Sequence, residues 1–219
     1  GVVLVDIGGG TTDIAIFYDD IIRHTAVIPF GGSVITDDIK EGCAILRRDA
    51  EKLKVQFGSS LADQTQENEI VSIPGLNGRE PKEISTKNLA FIIQARMEEI
   101  LGLVDHEIKN SGYANKLIAG IVVTGGGSQL KHISQLCEYV TGISTRVGYP
   151  NQYLSQGDVD NVAQPMFSTG VGLVIKGFSA KQREKKREKK VTTHSTKRKG
   201  SSFESWFKKA EGFFDEGDV

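Results

Sequence analysis

Two apolar runs in this chain each break off into three consecutive glycines. Val2–Val5 leads through Asp6-Ile7 into Gly8-Gly9-Gly10-Thr11-Thr12-Asp13, and Leu117–Thr124 leads into Gly125-Gly126-Gly127-Ser128. A short continuous apolar run reads as a strand buried on both faces. Glycines directly after it let backbone amides approach a ligand without interference from Cβ. In the first loop the threonine hydroxyls add donors, and an acidic side chain can hold a magnesium ion or its waters. The second loop sits between a strand and a helix N-terminus, where N–H groups and the helix dipole favour polar or anionic ligands. Each loop also has a plain structural explanation. The first can be a glycine-bearing hairpin turn and the second a strand–helix packing turn, since short glycine motifs match by chance. Neither loop is a GxGxxG or a Gly-Lys-Ser/Thr phosphate loop.

The elements between the loops follow from periodicity. Strands are expected at 14–17 and 22–28, followed by a helix through Ile35 and Ile39 that Ser33 or Thr36 would cap. A second helix is expected from about Ala44 to Phe57, stopped by Gly58. Residues 59–86 alternate polar stretches with Ile70–Ile73 and Ile84 between proline and glycine breaks, the pattern of a small sheet. Thr86 then caps a long helix to about Lys109, which Asn110-Ser111-Gly112 ends. Ser128 is expected to cap a helix bearing Leu130, Ile133, Leu136, Cys137 and Val140. A strand near 145–148 and an apolar helix from about Pro165 to Ile175 complete the pattern.

Net charge divides the chain. Residues 1–177 hold 15 Lys/Arg against 21 Asp/Glu, and residues 178–219 hold 12 against 7. The tail is therefore a separate physical object. Cys43 and Cys137 stand in apolar helical contexts without a CxxC or metal spacing, and read as small core residues in a reducing compartment. The four histidines are scattered, so no metal cluster is visible. No apolar run nears the roughly 18–20 residues that span a bilayer, so membrane contact is expected to be peripheral. Gly1 opens directly into the first strand, as in a piece of a longer protein.

Taken together and in order, the loops resemble the second phosphate motif and the adenosine motif of the actin/Hsp70/sugar-kinase superfamily, and Ala50-Glu51-Lys52-Leu53-Lys54 resembles its adenosine-flanking helix. Further stretches are similar to the FtsA family of actin-like bacterial division proteins: Pro29-Phe30-Gly31-Gly32, Ile35-Thr36-Asp37-Asp38-Ile39, Ile73-Pro74-Gly75 and Ile92–Glu99. The likeness covers residues 1–177. It implies an α/β fold of the actin/Hsp70 (RNase H-like) type: a mixed sheet with flanking helices, plus a small α+β outer subdomain. Residues 1–39 and 114–177 would form the nucleotide-binding inner subdomain and 40–113 the partner-binding outer one.

By the same resemblance the cofactors are ATP and Mg2+. Asp6 would serve the metal, and Gly8, Gly9, Gly10, Thr11 and Thr12 the phosphates. Glu51 and Lys54 would serve the ribose and base, and Gly126, Gly127 and Gln129 the adenosine. A solvated helix face is the plain alternative for Glu51 and Lys54. The implied partners are the C-terminal peptide of the tubulin-like protein FtsZ, met near Arg96 and Glu99, and further copies of the chain in protofilaments. No nucleic acid is implied. Arg96 and Glu99 can equally be an exposed i,i+3 pair.

Residues 178–200 read as a basic disordered linker, because Ala180–Lys199 holds 10 Lys/Arg against 2 Glu without an apolar period. Ser201 and Glu204 then form a capping box for a helix over 201–214. Phe203, Trp206, Phe207, Ala210, Phe213 and Phe214 share one face of it, as in a helix lying on a membrane surface, and residues 215–219 form an acidic terminus. Docking of that face on the core is the alternative. The FtsA family has this order of body, linker and short membrane helix, which implies an adaptor tethering an FtsZ ring to the cytoplasmic face of the cell membrane at the division site. An ATP-dependent enzyme of the same fold, a chaperone ATPase or a sugar kinase, is the other reading. Nothing in residues 1–177 separates a catalytic aspartate from Asp6 and Asp13, so no catalytic residue is assigned. With one side of a nucleotide cleft implied, weak ATP affinity is expected.

Overall fold

The computed structural model describes residues 1–66, 69–74, 80–152, 154 and 162–182. Residues 1–171 form one compact unit; the second begins at Gly172, and its described part, 172–182, is helical.

The first unit is built on a mixed five-stranded sheet. The strands β1 (Val2–Ile7), β2 (Thr12–Tyr18) and β3 (Ile21–Ile28) form an antiparallel meander. On the other side of β1, β6 (Ile121–Thr124) and then β7 (Thr145–Val147) run parallel to it, giving the order β3-β2-β1-β6-β7. Strand alternation separates the two sheet faces. Val3, Val5 and Ile7 of β1, Ile14 and Ile16 of β2, and Ile121 and Val123 of β6 are buried. Val2, Leu4 and Asp6 are only half-buried, so β1 is covered on one face rather than the two that its apolar run suggests.

The helices α1 (Gly32–Cys43), α3 (Thr86–Asn110) and α4 (Ile133–Thr141) share the hydrophobic cluster with the buried side of the sheet: Ile35 and Ile39 of α1, Met97, Ile100 and Val104 of α3, and Leu136 and Cys137 of α4. α2 (Arg47–Phe57) packs on α1. The hairpin of β4 (Ile70–Ile73) and β5 (Lys82–Ser85) feeds directly into α3. Cys43 and Cys137 are buried free thiols, and desolvation pushes both pKa values up. The cluster continues from the sheet into Ile73 and Ile84 of the small hairpin, with α3 contacting β2, β3 and β5 alike.

Several helix starts differ from the sequence expectation: the hydroxyls of Thr36, Thr86 and Ser128, named as caps, are used elsewhere. Gly31 occupies the cap of α1, while Thr36 lies buried within that helix. Ser85 precedes α3, and the Thr86 hydroxyl donates to the Glu69 carbonyl. Ser128 donates back to the Gly125 carbonyl at 2.8 Å within a 3-10 turn, Gly126–Gln129, so α4 starts only after His132. The last helix runs over 168–182, after a 3-10 turn at Pro165–Phe167, and so continues past the Phe178 boundary drawn from the sequence.

Candidate functional site

β1 and β6 are adjacent and parallel, so both glycine loops leave the same end of the sheet side by side. The first loop is a hairpin: Ile7 pairs with Thr12, and the Gly8 N–H donates to the Thr11 carbonyl. It is also tied to the start of α1, where the Gly32 and Ser33 N–H groups donate to the carbonyls of Gly8 and Gly9 at 2.9 and 2.7 Å. The second loop turns at Gly125, whose φ of +82° is open to glycine and strained for other residues. Between the loops lies a cleft of ≈ 510 Å³. Its walls include Gly8 and Gly9, Gly32, Glu51 and Lys54 of α2, and Gly126, Gly127 and Gln129. Ile35, Val55, Leu130 and Met166 supply apolar lining.

Seven residues assigned to a nucleotide from sequence therefore meet in one cleft, although they come from three separate segments. The others lie elsewhere. Gly10 and Thr11 are exposed beyond the lining, and the Thr11 hydroxyl donates to Asp13 at 3.0 Å. Thr12 is fully buried and its hydroxyl donates to the Phe30 carbonyl, so it serves the fold. Asp6 lines a neighbouring hollow with Thr124, Ser168 and Thr169, because alternation turns it to the opposite face from Ile7. There it accepts a 2.7 Å hydrogen bond from Thr169 and stands directly across from Asp13 in the β1–β2 register. Among the described residues no group of three or more His, Cys, Asp or Glu is placed to hold a metal ion.

The glycines of the cleft have different causes. A Cβ on Gly127 would stand 2.4 Å from the Ile7 side chain, so close packing onto β1 demands glycine there. A Cβ on Gly126 or Gly10 would meet nothing within 4 Å. Nothing in the fold asks for glycine at Gly126, which lines the cleft, and a ligand seated against its backbone would.

Glu51 and Lys54 belong to a local network rather than to a solvated face. The Lys54 ammonium donates to the Gly32 carbonyl at 2.8 Å, the Thr36 hydroxyl at 2.8 Å and Glu51 Oε2 at 2.9 Å. These are all three of its protons. Lys54 is thus a strut inside the wall and has no donor left for a base. Thr36, which from sequence is only a candidate cap, also reaches Glu51 Oε2 at 2.5 Å. Desolvation works to raise the Glu51 pKa, but hydrogen bonds from Lys54 and Thr36 and the charges of Lys54 and Arg47 outweigh it and hold the group below its ordinary value.

Arg96 is engaged in the same manner. It donates to both Asp38 oxygens, at 2.6 and 2.9 Å, and also to Glu99, clamping α3 to α1. The hydrogen bond to Asp38 leads the causes that raise its pKa, desolvation opposing. Arg96 is therefore committed to the fold, whereas the Glu99 side chain is 52 % exposed. The aromatic positions Phe203, Trp206, Phe207, Phe213 and Phe214, like residues 183–219 as a whole, lie outside the described residues. No helix among the described residues is long and apolar enough to cross a membrane.

The mixed sheet with its flanking helices and paired glycine loops defines an actin-like α/β protein. Among solved structures, MreB5 of Spiroplasma citri bound to AMPPNP is similar with a TM-score of 0.64 at 22 % identity, over 84 % of this chain and 55 % of that one. A MamK double helical filament is similar with a TM-score of 0.54 at 14 % identity, over 77 % of this chain and 54 % of that one. In sequence, a family model described as cell division protein FtsA matches residues 3–172, and the chain belongs to that family. The chain is 42 % identical to the cell division protein FtsA of Pseudomonas aeruginosa, over 81 % of its own length and 42 % of the relative's. It is 36 % identical to that of Escherichia coli K12, over 95 % of its length and 49 % of the relative's. The chain thus spans about half the length of the curated relatives it matches.

Proposed function

We propose that this chain forms one wall of an ATP site in an actin-like division scaffold, which assembles with copies of itself and holds FtsZ at the cytoplasmic face of the membrane. The observation that carries the reading is the convergence of Gly8 and Gly9, Glu51, and Gly126 with Gln129 on a single cleft. The glycine loops receive the phosphates and the adenosine, and Glu51 faces the sugar. Asp6, with Asp13 across the strand pair, offers hard oxygen donors of the kind that hold Mg2+ through its waters. The similar MreB5 was solved with ADP and with AMPPNP, which supports a nucleotide, and the MamK filament supports self-association.

The FtsZ peptide is assigned to the surface of residues 40–113, with Glu99 more available than Arg96. The aromatic residues of 201–214 are assigned to the membrane surface, and the basic residues before them add roughly 1 kcal/mol per Lys or Arg held near an anionic leaflet.

Gly126→Val tests the cleft. Since a Cβ there meets nothing within 4 Å, the variant is expected to keep the wild-type melting temperature while losing roughly tenfold or more in affinity for a fluorescent ATP analogue. Unchanged affinity would remove the nucleotide from this cleft.

A further inference from the structure

We propose that Thr36 is a positioning residue that fixes the Glu51 carboxylate so that the cleft discriminates for ligands carrying sugar hydroxyls, a ribonucleotide over its dideoxy counterpart. The inference rests on the nucleotide reading of the cleft and adds to it the source of sugar selectivity.

Thr36 is fully buried on α1, one turn beyond the backbone that receives the first glycine loop. Its hydroxyl has one proton and two acceptors in reach, the Gly32 carbonyl at 3.0 Å and Glu51 Oε2 at 2.5 Å. Lys54 donates into the same hydroxyl, which leaves the proton pointing away from the ammonium, and of the two acceptors the anionic carboxylate of Glu51 is the stronger. Oε2 is thereby held by two donors, Thr36 and Lys54. Among the described residues no hydrogen bond is made to Oε1. The Glu51 side chain is 50 % exposed on the cleft wall.

A carboxylate pinned through one oxygen presents the other as a pure acceptor in a set direction. Ribose hydroxyls donate to such a group, while a phosphate would be repelled by it. A site built to hydrogen-bond a hydroxyl rejects analogues that lack it far more strongly than an apolar pocket rejects a missing methylene. The rejection depends on the carboxylate holding its place, because a swinging side chain would turn to solvent and lose the directional bond. The two struts come from different helices, α1 and α2, so the orientation is set by tertiary packing.

The experiment compares affinities of the full chain for ATP and 2′,3′-dideoxy-ATP in the wild type, Thr36→Val and Thr36→Ser. Valine keeps the shape without the hydroxyl, and serine keeps the hydroxyl. The wild type is expected to prefer ATP by roughly tenfold or more. Thr36→Val is expected to lose ATP affinity roughly tenfold while holding dideoxy-ATP within about twofold, and Thr36→Ser to restore the preference. If Thr36→Val does not fold, Lys54→Met removes the second strut from the more exposed helix and is expected to erase the same preference. Equal losses for both nucleotides in Thr36→Val, or a preference that survives in Thr36→Val, would overturn the role of Thr36. Absence of ATP binding by the wild type would instead remove the nucleotide reading beneath it. ATP binding without a preference in the wild type would overturn this inference alone.

Discussion

Gly126 and Gly127 are neighbours with opposite reasons for lacking a side chain. Gly127 is glycine because β1 lies against it, so Gly127→Val forces the Ile7 side chain aside and is expected to cost about 1–3 kcal/mol by overpacking. Denaturant unfolding should show the loss with or without nucleotide, whereas Gly126→Val should leave the nucleotide-free curve in place and only reduce the stabilisation that added nucleotide gives. Glu51 gives a second contrast. Its pKa is depressed in the fold, so its contribution to stability is full above the unfolded carboxylate range and is lost as pH falls through the folded value. With half of the side chain exposed, that contribution is below about 1 kcal/mol. The melting-temperature difference between wild type and Glu51→Gln should therefore shrink between pH 6 and pH 3; a difference independent of pH would mean that the carboxylate gains nothing from Thr36 and Lys54. The sequence makes all of these residues visible as motif members. It does not reveal which glycine packs, which faces open space, or that Thr36 supports Glu51, because those distinctions lie in contacts between segments far apart along the chain.

At the level of elements, α1 links the site to the rest of the unit. Its first turn holds the glycine loop, its middle holds Glu51, and Asp38 takes the Arg96 fork from α3. Both partners of that last pair are about three-quarters buried, at 26 % and 28 % exposure. Arg96→Met is expected to destabilise by about 1–3 kcal/mol, since it strands the Asp38 carboxylate, and the double exchange Asp38→Arg with Arg96→Asp should recover part of the loss. A chemical melt of Asp38→Arg, Arg96→Asp and the double exchange decides the matter, and additivity of the two single changes would mean that the clamp is not a coupled pair. A charge reversal at Arg96 is for this reason a poor probe of a partner surface. Glu99→Lys, on the more exposed neighbour, is expected to weaken binding of an FtsZ tail peptide with little effect on stability. The long helix α3 was legible because burial imposes its period, while β1, whose apolar run hides its alternation, was placed correctly but with both faces buried instead of one. The helix starts were not legible, because a serine or threonine near a helix end has several backbone partners to choose from, and only the assembled neighbours decide among them.

For the molecule as a whole, the sheet order places two distant glycine loops side by side, and the resemblance of both motifs to one superfamily anticipated this pairing. The tail makes a separate claim. Trp206 is the only tryptophan of the chain, so its fluorescence on titration with anionic vesicles should shift to the blue, weaken with salt and disappear in Phe207→Asp; no shift would detach the membrane role from residues 201–214. The parallel pairing of Val3 with Ile121 also bears on how the protein is made. At about 5–20 residues per second on the ribosome, β1 emerges on the order of ten seconds before β6. Throughout that interval the meander of β1, β2 and β3 carries an unpaired apolar edge, the kind of edge that invites pairing with another chain. A nascent chain with this element order therefore carries that edge through the synthesis of α1, α2 and α3, until β6 can cover it and bring the second glycine loop beside the first.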